Sequence, residues 1–64
     1  MHTNYKNNLN TKIKLANSLK EILKHKPLSK ITINEITSNI NVNRNTFYYH
    51  FEDINGLIKW IIDN

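Results

Sequence analysis

A capping box at residues 32–35, with the sequence TINE, constrains the fold of this chain more than any other feature. The threonine hydroxyl can accept a hydrogen bond from the Glu35 backbone N–H, while the glutamate carboxylate reaches back to the threonine N–H. Ile31 and Ile36 flank the box at the two positions of a hydrophobic staple. The pattern therefore predicts a helix that begins after the threonine and ends near Asn39.

A second short helix is predicted directly after this one, beyond a three-residue turn. Asn41 lies at the centre of that turn, and asparagine tolerates a positive φ better than other non-glycine residues. The flanking Ile40 and Val42 are expected to point inward. Asn43 is a suitable N-cap for a helix that runs to about His50. Short helices joined by a tight turn are typical of a helix-turn-helix.

A longer helix is predicted before this pair of short helices. Asn10 or Thr11 can cap its start, and Pro27 limits its end because the residue before a proline is pushed out of the helical region. We expect it to run from about Thr11 to His25, with residues 1–9 forming a flexible polar arm. Its apolar side chains recur at helical spacing: Leu15, Ala16, Leu19, Ile22 and Leu23.

The remaining segments complete an all-α fold. Residues 28–31 are predicted as a short connector whose apolar residues, Leu28 and Ile31, pack under the next helix. Asp53 is a suitable N-cap for a fourth helix that continues to the end of the sequence. No segment of useful length has strand periodicity. We therefore predict a three-helix, homeodomain-like helix-turn-helix domain over residues 10–64, which includes the start of a fourth, connecting helix.

Length and composition argue against several classes of function. The chain has 64 residues, enough for one small domain whose core is too thin for a deep substrate cavity. It has no cysteine, and its histidines lack metal-ligand spacing, so we expect neither disulfides nor a metal site. No paired carboxylates, nucleophile–base pair or phosphate-binding glycine loop is visible, so we expect neither an enzyme nor a cofactor. No apolar run has the length of a membrane span or the form of a signal peptide, which makes the cytoplasm the default location.

The net charge of +4, with nine basic and five acidic residues, suits a polyanionic partner. Eight of the nine basic residues are lysine, and asparagine and isoleucine are also abundant. This composition is typical of proteins encoded by AT-rich genomes. A general compositional bias and a true phosphate-binding patch therefore remain as alternative explanations of the charge.

The predicted third helix combines an apolar side with a polar one. At about 100° per residue, Phe47 and Phe51 fall together and face the core. The other side chains point away from it: Arg44, Asn45, Tyr48 and Tyr49 form a continuous arc, and Thr46 and His50 lie beyond that arc.

The polar side of this helix has the chemistry of a DNA-binding surface. Arginine and asparagine make bidentate hydrogen bonds to guanine and adenine edges, and Arg44 and Asn45 occupy the first helical turn, which contacts bases in such helices. Tyrosine, threonine and histidine are common donors to phosphate. For Tyr48, burial of the ring with only its hydroxyl exposed is the alternative to a base contact. The predicted function is sequence-specific binding of double-stranded DNA.

Residues 32–36 (TINEI) and 42–51 (VNRNTFYYHF) together resemble the N-terminal DNA-binding domain of TetR/AcrR-type transcriptional regulators, over roughly residues 11–62. With Trp60 downstream, the pattern is most similar to the subgroup that includes dihydroxyacetone-kinase-operon regulators. The resemblance implies a ligand-responsive regulator, a repressor by preference, that binds a palindromic operator as a homodimer. It also implies a second helical domain for ligand binding and dimerisation, which this sequence lacks.

The resemblance further implies roles for individual residues. Many relatives carry a phosphate-binding lysine where this chain has Ile54, and Lys59 or Lys30 are candidates to replace it. The implied base contacts are Arg44, Asn45 and Tyr48, and the implied phosphate contacts are Thr32, Thr46, Tyr49 and His50.

The fourth helix carries more apolar surface than one small core can bury. A surface helix normally has an apolar stripe a little over 100° wide. In this helix the apolar residues cover more than half of the circumference: Leu57, Ile58, Trp60, Ile61 and Ile62. Ile58, Trp60 and Ile62 are therefore candidates for contact with another domain or another chain. The alternatives are a small helical protein-interaction module that docks through this helix, and a terminal helix that is simply rich in apolar residues.

Overall fold

The computed structural model describes the backbone of residues 5–63 and the side chains of residues 9–63. This part of the chain contains no strand, which confirms the all-α prediction. Its elements are helix α1 (Tyr5–Leu23), a 3₁₀ turn (Leu28–Lys30), α2 (Ile33–Asn39), α3 (Arg44–His50) and α4 (Ile54–Asp63).

The core lies where α1 packs against the three shorter helices. Each of the four α-helices contributes at least one fully buried or nearly buried apolar side chain. The buried set is Leu15, Ala16, Leu19, Ile31, Ile36, Phe47, Phe51 and Leu57. Further isoleucines and Trp60 pack around this set and are half-buried. Leu23, which was assigned to the apolar stripe of α1, is instead exposed at the end of that helix.

Helix α1 begins and ends earlier than predicted. It starts at Tyr5 rather than near Thr11, so residues 5–9 are helical and not part of an irregular arm; residues 1–4 of that predicted arm lie outside the described residues. No proline or glycine interrupts this stretch, so helical hydrogen bonding can extend backward from the packed part of α1. The last regular residue is Leu23 rather than His25, because the final N–H groups form the tighter bonds of a 3₁₀ turn, as between His25 N–H and the Ile22 carbonyl.

The connector before α2 is ordered by its own backbone hydrogen bonds. The N–H groups of Lys30 and Ile31 donate to the carbonyls of Pro27 and Leu28 at 3.0 Å. Ile31 leaves the turn in extended backbone and is buried, as predicted. The prediction for Leu28 is wrong, since 40% of its surface remains exposed. Ile31 follows the turn in extended backbone, whereas Leu28 lies inside the turn, none of whose residues is buried.

Both predicted boundaries of α2 are confirmed. Thr32 accepts from the Glu35 N–H at 3.2 Å, and the Glu35 carboxylate accepts from the Thr32 N–H at 2.9 Å, which completes the capping box. At the other end Asn41 has a φ of 61°, the left-handed conformation expected for it. Its N–H donates to the Ser38 carbonyl, and the Val42 N–H donates to the Thr37 carbonyl. Together these two bonds form a Schellman motif, which closes the helix and fixes the direction of the turn.

A serine on α1 completes the C-terminal end of α2. The Ile40 N–H bonds the Thr37 carbonyl, so it does not satisfy the Ile36 carbonyl as it would in a continuing helix. The buried Ser18 hydroxyl donates to that Ile36 carbonyl at 2.7 Å instead. The Asn39 side-chain amide in turn donates to Ser18 Oγ at 3.0 Å. These contacts connect α1 directly to the start of the turn.

Candidate nucleic-acid interface

Helix α3 is a seven-residue helix with defined ends. The Asn43 side chain accepts from the Asn45 N–H at 2.6 Å, which confirms it as the N-cap. Phe51 is in extended backbone, and its N–H donates to the Phe47 carbonyl at 2.8 Å, so the helix ends at His50 as predicted. The Asp53 carboxylate then accepts from the Gly56 N–H at 2.8 Å and caps α4.

Aromatic packing fixes the inner face of α3. Phe47 is completely buried, and its ring lies 5.8 Å from the ring of Phe51. Phe51 in turn makes an edge-on contact with Trp60 of α4 at 6.1 Å between ring centres. Because both phenylalanines are held by other helices, α3 has little freedom to rotate about its axis.

The opposite face of α3 is open. Arg44 and Asn45 are exposed in the first turn. Tyr48 is 51% exposed although its ring contacts the edge of Phe47, so the alternative in which only its hydroxyl is exposed is wrong. Tyr49 is 75% exposed. These four side chains can therefore all reach a ligand that approaches the same side of the helix.

Two half-buried side chains lie at the border of this open face. Thr46 and His50 are both partly covered by the protein. Burial, and then the charge of Lys12, lowers the pKa of His50 below its ordinary value of 6.5. The His50 ring also lies edge-on to the Tyr49 ring at 5.0 Å between centres. Six predicted site residues thus share one short helix: Arg44, Asn45, Thr46, Tyr48, Tyr49 and His50.

The other predicted polar contacts lie on separate elements. Lys30 ends the 3₁₀ turn and Thr32 caps α2, so these two exposed residues form a second group at the start of α2. Lys59 is exposed on α4. Ile54, at the start of α4, packs against the core and supplies no cation there.

An ion pair fixes the entry to α2. Lys26 Nζ bonds the Glu35 carboxylate that also completes the capping box. The Lys26 hydrogen bond, followed by the Thr32 N–H, lowers the pKa of Glu35 below its ordinary value of 4.5. Lys26 is therefore engaged within the protein, while Lys30 and Thr32 beside it keep an exposed surface.

Lys12 is a residue that the sequence analysis did not single out. Its Nζ lies over the ring of Phe51, 5.9 Å from the ring centre, and the side chain is half-buried. In the sequence it is one of several lysines on the polar side of α1. Nothing in the local pattern distinguishes it, because the contact joins residues that are far apart in the chain.

The candidate contact residues on α4 differ in their environment. Ile62 is 76% exposed, whereas Ile58 and Trp60 are half-buried and pack against the core. A shallow groove of about 180 Å³ lies between α1 and α4 beside Trp60. That volume is below the roughly 300–1,000 Å³ of pockets that bind organic ligands.

The described part of the chain offers neither a metal site nor a membrane-spanning helix. Residues 9–63 hold no group of three or more side chains placed to bind a metal ion. No helix within residues 5–63 has the length and apolar character needed to cross a bilayer.

Comparison with known proteins identifies a family for this chain. A family model described as bacterial regulatory proteins, tetR family, matches residues 17–61. No curated protein and no solved structure gave a significant match. The matched range contains all of α2 and α3, the turn between them and the part of α1 that includes the buried Ser18 and Leu19.

Proposed function

This chain belongs to the tetR family of bacterial regulatory proteins, and we propose that its α3 enters the major groove and contacts base edges. Family membership makes it a DNA-binding domain of a transcription regulator, with double-stranded DNA as its partner. In our proposal Arg44 and Asn45 make the base contacts from the first turn, and Tyr48 contacts a base from the next.

One observation carries the proposal: the polar side of α3 is open while its apolar side is held in the core. Arg44 and Asn45 are exposed, whereas Phe47 of the same helix is completely buried in the core. A fixed helix with an exposed arginine and asparagine in its first turn can place bidentate donors at a base edge without reorganisation.

Phosphate contacts would position the helix on either side of the groove. On α3 we assign them to Thr46, Tyr49 and His50, which border the exposed arc. At the start of α2 we assign them to Thr32 and Lys30. We also assign Lys59 of α4 to this group, as the cation on the helix that begins with Ile54.

We further propose that the chain acts as half of a homodimer on a palindromic operator, as part of a ligand-responsive repressor located in the cytoplasm with its DNA. A helix of seven residues spans few base pairs, and helix-turn-helix proteins commonly bind paired half-sites. Ile62, exposed at the end of α4, supports a contact with another domain or chain there. Ile58 and Trp60 would contribute only the parts of their surfaces that the core leaves uncovered.

Selection of bound duplexes from a random pool tests the base contacts. We expect a recurrent sequence to be enriched, and a palindrome to appear if two copies bind together. Arg44→Ala should weaken binding to the selected duplex by about 1–3 kcal/mol and relax the preference at one base pair. Arg44→Lys keeps the charge but loses the planar fork, so it should lose the same preference while retaining more of the non-specific affinity. Equal losses on selected and scrambled duplexes would show that Arg44 does not contact a base.

The second candidate is a protein-interaction module that docks through α4, and the exposure of Ile62 favours it. Nuclear magnetic resonance shifts on addition of duplex DNA distinguish the two candidates. Shifts centred on Asn45 and Thr46 support DNA binding by α3. Shifts confined to α4, with α3 unmoved, support the interaction module.

A further inference from the structure

Two basic side chains, Lys12 and His50, both lie beside the ring of Phe51, where α1 passes the C-terminal end of α3. Lys12 Nζ lies 5.9 Å from the centre of the Phe51 ring, and the centre of the His50 ring lies 6.4 Å from the same ring. Both side chains are half-buried. We call this group of Lys12, His50 and Phe51 the α1–α3 corner.

Within residues 9–63, no carboxylate forms an ion pair with Lys12 or His50 of the α1–α3 corner. The ion pairs among residues 9–63 all lie elsewhere: Glu21 pairs with Lys24 and His25, and Glu35 pairs with Lys26. Asp53 follows closely in the sequence, but its carboxylate accepts from the Gly56 N–H at the start of α4.

The charged groups on the elements around His50 confirm this imbalance. Within residues 9–63 they are Lys12, Lys14, Lys20 and Glu21 of α1, Glu35 of α2, Arg44 of α3, Glu52 and Asp53 after α3, and Lys59 and Asp63 of α4. Of these, only Lys12 changes the pKa of His50, and it acts against the protonated form. Phe51, the third member of the corner, offers a cation its ring face and no negative charge. The corner thus holds one fixed cation and a second group that becomes a cation when protonated, and no carboxylate of residues 9–63 is paired with either.

We propose that Lys12 and His50 together bind one phosphate of the DNA backbone, and that His50 takes up a proton as the DNA binds. This inference rests on the proposed function, because it places the corner beside the open face of α3. A phosphodiester carries one negative charge, which would attract the lysine and offset its repulsion of the imidazolium. A protonated histidine also makes a stronger, charge-assisted hydrogen bond to phosphate than a neutral one.

The proposed proton uptake determines whether DNA affinity rises or falls with pH. In the free protein burial and the charge of Lys12 both lower the pKa of His50, which favours the neutral imidazole. A phosphate in contact with the ring raises that pKa in the complex. The complex then binds more protons than the free components, so DNA affinity rises as pH falls. Each pKa unit between the free and bound states corresponds to about a tenfold change in affinity across the window.

Two measurements on the chain test the inference, with a random-sequence duplex of about 20 base pairs, two turns of the double helix, as the probe. The first is the pKa of the His50 imidazole by nuclear magnetic resonance, without DNA and with saturating DNA. We expect that pKa to rise by about one unit on binding. The second is the dissociation constant between about pH 5 and 8, where histidine titrates. We expect about tenfold tighter binding at the acidic end.

Matched variants separate the corner from general charge effects. Lys12→Gln should lower the salt dependence of binding by about one phosphate contact and reduce the rise in the His50 pKa. Lys14→Gln removes the same charge from the exposed side of α1 and should leave the His50 pKa unchanged in both states. His50→Gln should abolish most of the pH dependence, whereas His25→Gln, at an exposed position just beyond α1, should preserve it.

The possible failures are distinguishable. If the unaltered chain binds duplex DNA at no pH, the proposed function falls and this inference falls with it. If the chain binds DNA but the His50 pKa is the same in the free and bound states, only the inference is overturned. Equal effects of Lys12→Gln and Lys14→Gln on the salt dependence would also overturn it, because the corner would then contribute no specific phosphate contact.

Discussion

The hydrogen bonds of Ser18, which join α1 to the end of α2, predict a large loss of stability when this serine is replaced. Ser18 is almost fully buried, and its hydroxyl donates to the Ile36 carbonyl while accepting from the Asn39 amide. Replacing it with alanine leaves the Ile36 carbonyl without a donor inside the protein. A buried polar group left unsatisfied costs about 1–3 kcal/mol, whereas the exposed Asn39 amide can bond to water instead.

We therefore expect Ser18→Ala to lower the free energy of unfolding by about 2 kcal/mol. Small proteins have about 0.05–0.15 kcal/mol of stability per residue, so this is a large part of the total for a chain of this length. In domains of this size each kcal/mol shifts the melting temperature by about 4–8 °C, which gives a decrease of about 8–16 °C. Circular dichroism during heating and during urea titration measures both quantities.

Ser38→Ala is the matched control, because Ser38 is an exposed serine on α2. Alanine has the higher helix propensity at both positions, so that gain cancels in the comparison. Ser38→Ala should change the stability by less than about 0.5 kcal/mol. Asn39→Ala should cost less than Ser18→Ala, and the double variant should cost less than the two combined. A similar loss for Ser18→Ala and Ser38→Ala would refute the role assigned to the Ser18 hydroxyl.

Further predictions concern the turn and the pH dependence of folding. Asn41→Ala should destabilise the chain by about 1–2 kcal/mol, because alanine disfavours the left-handed φ of 61°. Asn41→Gly should be tolerated, and equal stabilities of the two variants in urea titration would contradict this prediction. The lowered pKa of Glu35 stabilises the fold above its ordinary value of 4.5, and this contribution is lost as pH falls below that value. Lys26→Met should weaken this acid dependence in urea titrations at several pH values, and an unchanged profile would show that the ion pair is not its cause.

The features that were predictable from the sequence depend on residues close together in the chain. The capping box at Thr32, the left-handed Asn41 and the N-caps Asn43 and Asp53 each involve a side chain and a backbone group within about four positions. Burial of Phe47 also followed from helical spacing alone. Such local signals determine where α2 and α3 begin and end, and hence which side chains α3 exposes.

The features that the sequence did not reveal depend on contacts between distant segments. The Ser18 bond to α2 and the approach of Lys12 to Phe51 appear only when α1 packs against the other helices. The extension of α1 back to Tyr5 similarly depends on the packed part of that helix, from which helical hydrogen bonding continues. The sequence of residues 5–9 itself contains no capping pattern that would mark a helix start there. The roles of individual side chains toward DNA, and the subgroup suggested by the sequence, remain predictions.

The contacts around α3 imply two separable ways to lose DNA binding. An isolated helix of seven residues is too short to be stable in water, so the cap at Asn43, the Schellman motif and the burial of Phe47 must hold α3 in place. Substitutions in that supporting set, including Ser18→Ala, should reduce binding only as far as they populate the unfolded state, and cooling should restore it. Arg44→Ala alters no contact that holds the helix, so its loss of affinity should persist at every temperature at which the chain is folded. The temperature dependence of the dissociation constant therefore separates residues that build the surface from residues that contact DNA.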